Sequence, residues 1–254
     1  KHTADGELHP GEAVEEKISL SERFGLWISF YPFTQDEYLA IVSQWLQHFG
    51  LPATAIDAAR AFANKAQHRT VVIDALLSLG LSPQTPFLAC TVHRAENTTP
   101  EVLPGLVRGL SRLAERFPLL WPVHPRTRRL LDELKLPLSP RIGLLPPVGY
   151  LDMLALLSDS LALCTDSGGL QEESYALGTP VLILRNETEW SYLVDGGCAT
   201  LLGNREDDVV RRGLASLETA ENQRMRLAAK ALTARLADGG AAAKILESVT
   251  SRWL

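Results

Sequence analysis

LALCTDSGGLQEESYALGTPVLIL (161–184) decides how this chain is read. LALCT (161–165) is a short, almost uninterrupted apolar run. GGLQEESYAL (168–177) reads as a helix, and PVLIL (180–184) is apolar again. Strands that carry apolar residues on both faces are strands covered by helices on both sides. The connections are too short for anything but a strand, a crossover helix and a parallel strand.

The same rhythm runs outward in both directions. FLACTV (87–92), LLWPV (119–123), RIGLLPP (141–147) and the shorter ATLLG (199–203) read as strands. PEVLPGLVRGLSRLAERF (100–117), with apolar residues spaced by about 3.6, RTRRLLDEL (126–134) and YLDMLALLSDS (150–160) read as the helices between them. EDDVVRRGLASL (206–217), ENQRMRLAAKALTARL (221–236) and the tail 241–253 read as closing helices. The fold class that follows is α/β, with a doubly wound, mainly parallel sheet of Rossmann type.

Composition narrows the function. The 254 residues suit one large domain, or one domain with an appendage. Net charge is −5 and no basic patch stands out, which argues against nucleic acid as a partner. No apolar run approaches the ~18 residues of a membrane helix. The leader KHTADGELHPGEAVEEK is polar and is not a signal peptide; without an initiator Met it reads as the start of a fragment or a processed chain. Cys90, Cys164 and Cys198 form no C-x-x-C pair, and they read as buried free thiols of a reducing cytoplasm. Nothing suggests a metal or another cofactor.

Residues 1–69 break the rhythm. FGLWISFYPF (24–33) reads as a buried aromatic strand. Thr34 with Glu37 forms a capping box for a helix that ends near Phe49 at Gly50, and DAARAFANKA (57–66) reads as another helix. The boundary falls between residues 66 and 82. The chain divides into a mostly helical appendage over 1–69 and a Rossmann-like domain over 70–254.

In an open parallel sheet, ligands bind beyond the carboxyl ends of the strands. Ser167, Gly168 and Gly169 sit at such an end and open a helix, whose first N–H groups have no internal partner and favour an anion. Glu173, further along that helix, is placed to accept from a ribose diol. Asp-Ser-Gly-Gly is also a good turn and N-cap in its own right. Three more strand ends carry polar anchors: TVHRAEN (91–97) with His93 and Arg94, PVHPRTRR (122–129) with His124, and ILRNETEW (183–190) with Arg185. An arginine fork suits a diphosphate, and a histidine can also move a proton near neutral pH.

Taken together, TVHRAEN, PVHP, CTDSGGLQEESYALGTPVLILRNETEW, LLGN and the late DGGAAAKI resemble the C-terminal half of the non-hydrolysing UDP-N-acetylglucosamine 2-epimerases, over about residues 70–254. VVIDALL (71–77) resembles the segment entering that family's second domain. The resemblance implies a glycosyltransferase-B-type fold of two Rossmann-like domains with UDP in the cleft. It places His93 and Arg94 by the diphosphate and the reacting sugar, and Ser167 and Gly168 on phosphate. It puts Glu173 on the ribose and the backbone from Tyr150 to Met153 on uracil. The implied reaction interconverts UDP-GlcNAc and UDP-ManNAc. A proton leaves the sugar's C2, UDP is eliminated to an enzyme-bound glycal, and UDP re-adds on the other face. Trp190 stands where many members carry Arg in T-E-R-P; members acting on other UDP-sugars also carry Trp there.

Residues 1–69 do not resemble that family's N-terminal domain, which supplies the proton-transfer carboxylates. EEKISLSERFGLWISFYPFTQDEYLAIVSQWLQHFGL (15–51) is instead similar to the end of a bacterial AAA+-type ATPase family of unassigned function, with Arg23 at its nucleotide-sensing arginine. No G-x-x-x-x-G-K-[ST] loop accompanies it, so ATP hydrolysis is not expected. Three readings stay open: an epimerase, with a homodimer offering a cleft between chains; a UDP-binding module without turnover; and a sugar transferase of the same two-domain architecture.

Overall fold

Apolar runs of three or four residues cannot hold a sheet alone, so the four central strands here are fully buried beneath crossover helices. The computed structural model describes residues 66–236. In chain order these form α1 (Ala66–Ser78), β1 (Leu88–Thr91), α2 (Leu103–Arg116), β2 (Leu119–Pro122), α3 (Pro125–Glu133), β3 (Ile142–Leu145) and α4 (Tyr150–Asp159). There follow β4 (Ala162–Thr165), α5 (Gly168–Ala176), β5 (Val181–Ile183), α6 (Ser191–Asp195), β6 (Ala199–Leu201), α7 (Glu206–Ser216) and α8 (Thr219–Leu236). The strand order is β3-β2-β1-β4-β5-β6 and every pairing is parallel. The fold is therefore the expected doubly wound α/β sheet.

The elements match the sequence reading with two exceptions. Helix α1 was not expected, and it runs unbroken across residues 69 and 70. It buries Val72, Ala75 and Leu76, but Ile73 and Leu77 are exposed, so its apolar periodicity is blurred. Helix α6 is a single short turn inside the ETEWSYL region and has no pattern of its own. The expected strand at 24–33, the Thr34 cap, the helix at 57–66 up to its last residue and the closing tail at 241–253 lie outside the described residues.

Two layers of core flank the sheet. Leu88, Cys90, Trp121 and Cys164 face α2 and α7, while Ala89, Leu120 and Leu163 face α1, α4 and the start of α5. Helices α2 and α7 pack closely because Gly109 and Gly213 lie at their contact. A methyl on Gly109 would come within 3.0 Å of Val209, and one on Gly213 within 3.0 Å of Leu113. Helix α5 ends in a Schellman motif. Gly178, at φ +80°, donates to Tyr175 O and Thr179 N to Ser174 O, both at 2.9 Å. This turn returns the chain directly into β5.

All three cysteines are buried free thiols, and Cys90 and Cys164 are register partners on adjacent strands. Burial pushes the Cys164 thiol up to about 12 and the Cys198 thiol up to about 11. Among the described residues, no helix is long and apolar enough to cross a membrane.

Candidate active site at the switch point

The strand order reverses between β1 and β4, so the chain leaves their carboxyl ends toward opposite faces and a crevice opens there. Both strands end in Cys-Thr. The paired Thr91 and Thr165 hydroxyls meet at 2.7 Å, and Thr165 Oγ1 also accepts from Ser167 N at 2.9 Å. This is the floor of the site.

Asp166 follows, fully buried. Its carboxylate accepts from His93 N (3.1 Å), Arg94 N (3.0 Å) and Asn97 Nδ2 (3.1 Å). A buried carboxylate is tolerated only when donors converge on it, and these donors come from the loop after β1. Asn97, also fully buried, donates to Leu184 O at 2.9 Å and accepts from Asn204 Nδ2 at 3.1 Å. Loops after β1, β4, β5 and β6 are thus joined through the side chains of Asp166, Asn97 and Asn204.

Ser167 is the N-cap of α5, its hydroxyl accepting from Leu170 N at 3.5 Å. The cap reading and the anion reading are compatible. The Ser167 hydroxyl uses a lone pair for the cap and keeps its proton, while the N–H groups of Gly168 and Gly169 precede the first helical hydrogen bond. Gly168 is flanked by side chains at ordinary contact distance. A methyl there would lie 3.4 Å from Trp190 Nε1 and 3.7 Å from both Arg94 Nη2 and Glu189 Oε2. Trp190 Nε1 donates to Gly168 O at 3.0 Å, which pins the ring beside the helix start.

The arginines form a chain of pairs. Arg94 Nη2 lies 3.2 Å from Glu189 Oε1, and Arg185 bridges Glu189 (2.7 Å) and Glu96 (3.1 Å). The hydrogen bond from Arg185 holds the Glu189 carboxyl down at about 2, against the opposing effect of partial burial. Arg185 is 6% exposed and spans two carboxylates, whereas the Arg94 side chain is about one-third exposed. His93 and His124 are brought together from adjacent strand ends, with ring centroids 6.1 Å apart. His124 caps α3, its Nδ1 accepting from Arg126 N at 3.2 Å. Tyr150 and Met153 open α4 beyond the edge strand β3, and Met153 packs on the apolar cluster that contains Leu170 of α5. Glu173 lies in the second turn of α5.

The structure therefore gathers His93, Arg94, Ser167, Gly168 and Arg185 around one crevice, with His124 beside it. Tyr150 and Met153 lie at the far side of the sheet end. Sequence reasoning gave Asp166 and Thr165 no role beyond the strand-end turn, took Glu189 only as a polar anchor of its strand end, and passed over Thr91. One signal was available: the repeated Cys-Thr at 90–91 and 164–165, each ending an apolar run before a polar loop.

Fold and site define a doubly wound α/β domain whose helix α5 starts at the switch point, capped by Ser167. A family model described as UDP-N-acetylglucosamine 2-epimerase matches residues 49–250. The chain belongs to that family. A second model, described as a protein of unknown function (DUF815), matches residues 1–71. The chain is 40% identical over 141 residues to the UDP-2,3-diacetamido-2,3-dideoxy-D-glucuronate 2-epimerase of Pseudomonas aeruginosa, covering 55% of this chain and 39% of that protein. It is 33% identical over 168 residues to a putative UDP-N-acetylglucosamine 2-epimerase of Thermotoga maritima, covering 64% and 43%. Among solved structures, the Neisseria meningitidis UDP-GlcNAc 2-epimerase bound to UDP-GlcNAc matches with a TM-score of 0.58 at 25% identity, covering 78% of this chain and 54% of that one. A putative epimerase from Listeria monocytogenes matches at 0.54 and 28%, covering 71% and 48%. The chain spans less than half the length of these curated relatives.

Proposed function

We propose that this chain is the nucleotide-holding half of a UDP-sugar 2-epimerase. The reading rests on one observation. At the β1/β4 switch point, the capped start of α5 at Ser167 and Gly168 faces the Arg94 guanidinium, with His93 and His124 alongside. A diphosphate fits that arrangement. Helix N–H groups and the Ser167 hydroxyl take one set of oxygens, and Arg94 and His93 take the other. Glu173 accepts from the ribose and the first turn of α4, at Tyr150 to Met153, meets the base. Donors aimed at the diphosphate stabilise the charge that develops as UDP leaves the sugar, which is this half's share of the barrier.

The substrate class is a UDP-2-acetamido sugar, with UDP-GlcNAc to UDP-ManNAc as the reaction to test first. The Neisseria relative is bound to UDP-GlcNAc, and the Pseudomonas relative is named for a diacetamido uronate. Trp190, pinned at the helix start, is the residue placed to set which sugar is accepted. The decisive experiment is calorimetric titration with UDP, followed by incubation with UDP-GlcNAc in D2O. Saturable UDP binding with deuterium appearing at C2 supports the full reading. Binding without deuterium supports a second one, a UDP-binding module without turnover. That alternative is favoured by the different family matched over residues 1–71. No binding overturns both.

A further inference from the structure

The buried carboxylate beneath the histidine loop has a role that the diphosphate does not use. Asp166 touches His93 twice over. Besides holding the backbone N–H groups of His93 and Arg94, its Oδ1 lies 3.6 Å from His93 Nδ1, and the imidazole side chain is 29% exposed. Asp166 cannot turn away from the ring. Its Oδ2 is taken by Asn97, which is itself held by Leu184 O and Asn204. The Thr91–Thr165 hydroxyl contact fixes the strand ends on which both residues stand.

We propose that Asp166 is a positioning residue that sets the His93 ring, keeping the proton of the neutral imidazole on Nδ1 and presenting Nε2 to the crevice. Which ring nitrogen carries the proton is decided by what the other faces, and a base oriented by a third group is the recurring arrangement of proton-handling sites. Among the groups facing His93 are the Asp166 carboxylate from the β4 end and the His124 ring from the β2 end; Arg94 follows it on the same loop. With Nδ1 toward the carboxylate, Nε2 is the nitrogen that takes up a proton and then donates to a diphosphate oxygen. This rests on the proposed UDP site only for what Nε2 meets, not for the ring's own state.

The test separates the two. Imidazole 15N–1H correlation spectra of the free protein, recorded at high pH on the neutral ring, report the tautomer directly; the His93→Gln spectrum assigns the signal. The expected result is the Nδ1–H tautomer for His93, shifting toward Nε2–H in Asp166→Asn. An Nε2–H tautomer in the wild type overturns the proposal, as does an Asp166→Asn spectrum with an unchanged ring. If Asp166→Asn does not fold, the wild-type tautomer alone decides. UDP titrations of the two single variants and the double variant give the coupling. Each single change is expected to weaken binding by about tenfold, and the double by little more than either. Full additivity in well-folded variants overturns the action through His93. A wild type with the Nδ1–H tautomer and no UDP affinity leaves the positioning intact and sinks the nucleotide assignment.

Discussion

Arg94 and Arg185 at one end of the sheet do different work from Arg226 and Arg141 at the other. Beyond the carboxyl ends of the strands, Arg94 and Arg185 meet carboxylates, Glu189 and Glu96. Before the amino ends, Arg226 donates to Ser160 O, Leu161 O and Asn222 Oδ1, and Arg141 to Ala114 O. The cause is the polarity of the fold. In a parallel α/β sheet, helices end at the strands' amino edge and begin at their carboxyl edge. The amino edge presents orphan carbonyls, as after α2 and α4, and a guanidinium satisfies them without a counterion. The carboxyl edge presents bare N–H groups, so a cation there needs anions with it. Glu189 and Glu96 are the internal ones, and the proposed diphosphate is the external one. One edge is built for cohesion, the other for exchange.

Four substitutions probe that division. Arg226→Ala should cost the most stability, about 3 kcal/mol, because buried carbonyls lose charged donors. Urea unfolding measures it, and UDP affinity should stay unchanged. Arg94→Ala should do the reverse, weakening UDP by about tenfold or more while leaving the unfolding midpoint almost unmoved. A strong stability loss for Arg94→Ala would mean that the two edges do not divide as described. Gly168→Ala is the sharper case. The added methyl meets only ordinary contacts of 3.4 Å and beyond, and alanine suits a helix better than glycine. Stability should therefore rise by up to about 1 kcal/mol, while the same methyl should weaken UDP binding severalfold by keeping phosphate from the backbone.

Glu189→Gln should have the smallest effect, and it appears in the pH dependence. The Glu189 carboxyl is held at about 2 in the fold, against an ordinary 4.5. A depressed carboxyl stabilises the fold above its unfolded value and loses that contribution as pH falls from about 4.5 toward 2. The side chain is nearly half exposed, so the amount is below about 1 kcal/mol. Acid unfolding of the glutamine variant should be less steep across that window. Equal slopes for both proteins would show that the Arg185 pair contributes nothing to stability.

How much of this was legible beforehand follows from the same polarity. Strands buried on both faces read as apolar runs, and all six were found. Helix α1 was missed because Ile73 and Leu77 stay outside while Val72 and Leu76 go in, so neighbouring apolar residues do not share one face. The strand-end residues His93, Arg94, Ser167 and Gly168 were visible because polar residues interrupt an apolar rhythm. Asp166 was visible only as part of a turn. Its partners lie some seventy residues away (|i−j| of 73 for His93 and 69 for Asn97), and only the reversal of strand order makes β1 and β4 neighbours. Spacing along a chain carries no record of that.

The paired thiols under the switch point offer a clock for it. Cys90 and Cys164 lie side by side beneath Thr91 and Thr165, sealed from solvent, while Cys198 is sealed in a separate apolar cluster with Leu193 and Leu232. A thiol reagent can reach any of them only when the chain opens locally, so labelling rates measure the free energy of that opening. If the β1–β4 seam parts as a unit, Cys90 and Cys164 react together and at a rate distinct from Cys198. Added UDP then slows the seam and leaves the third thiol to its own rhythm.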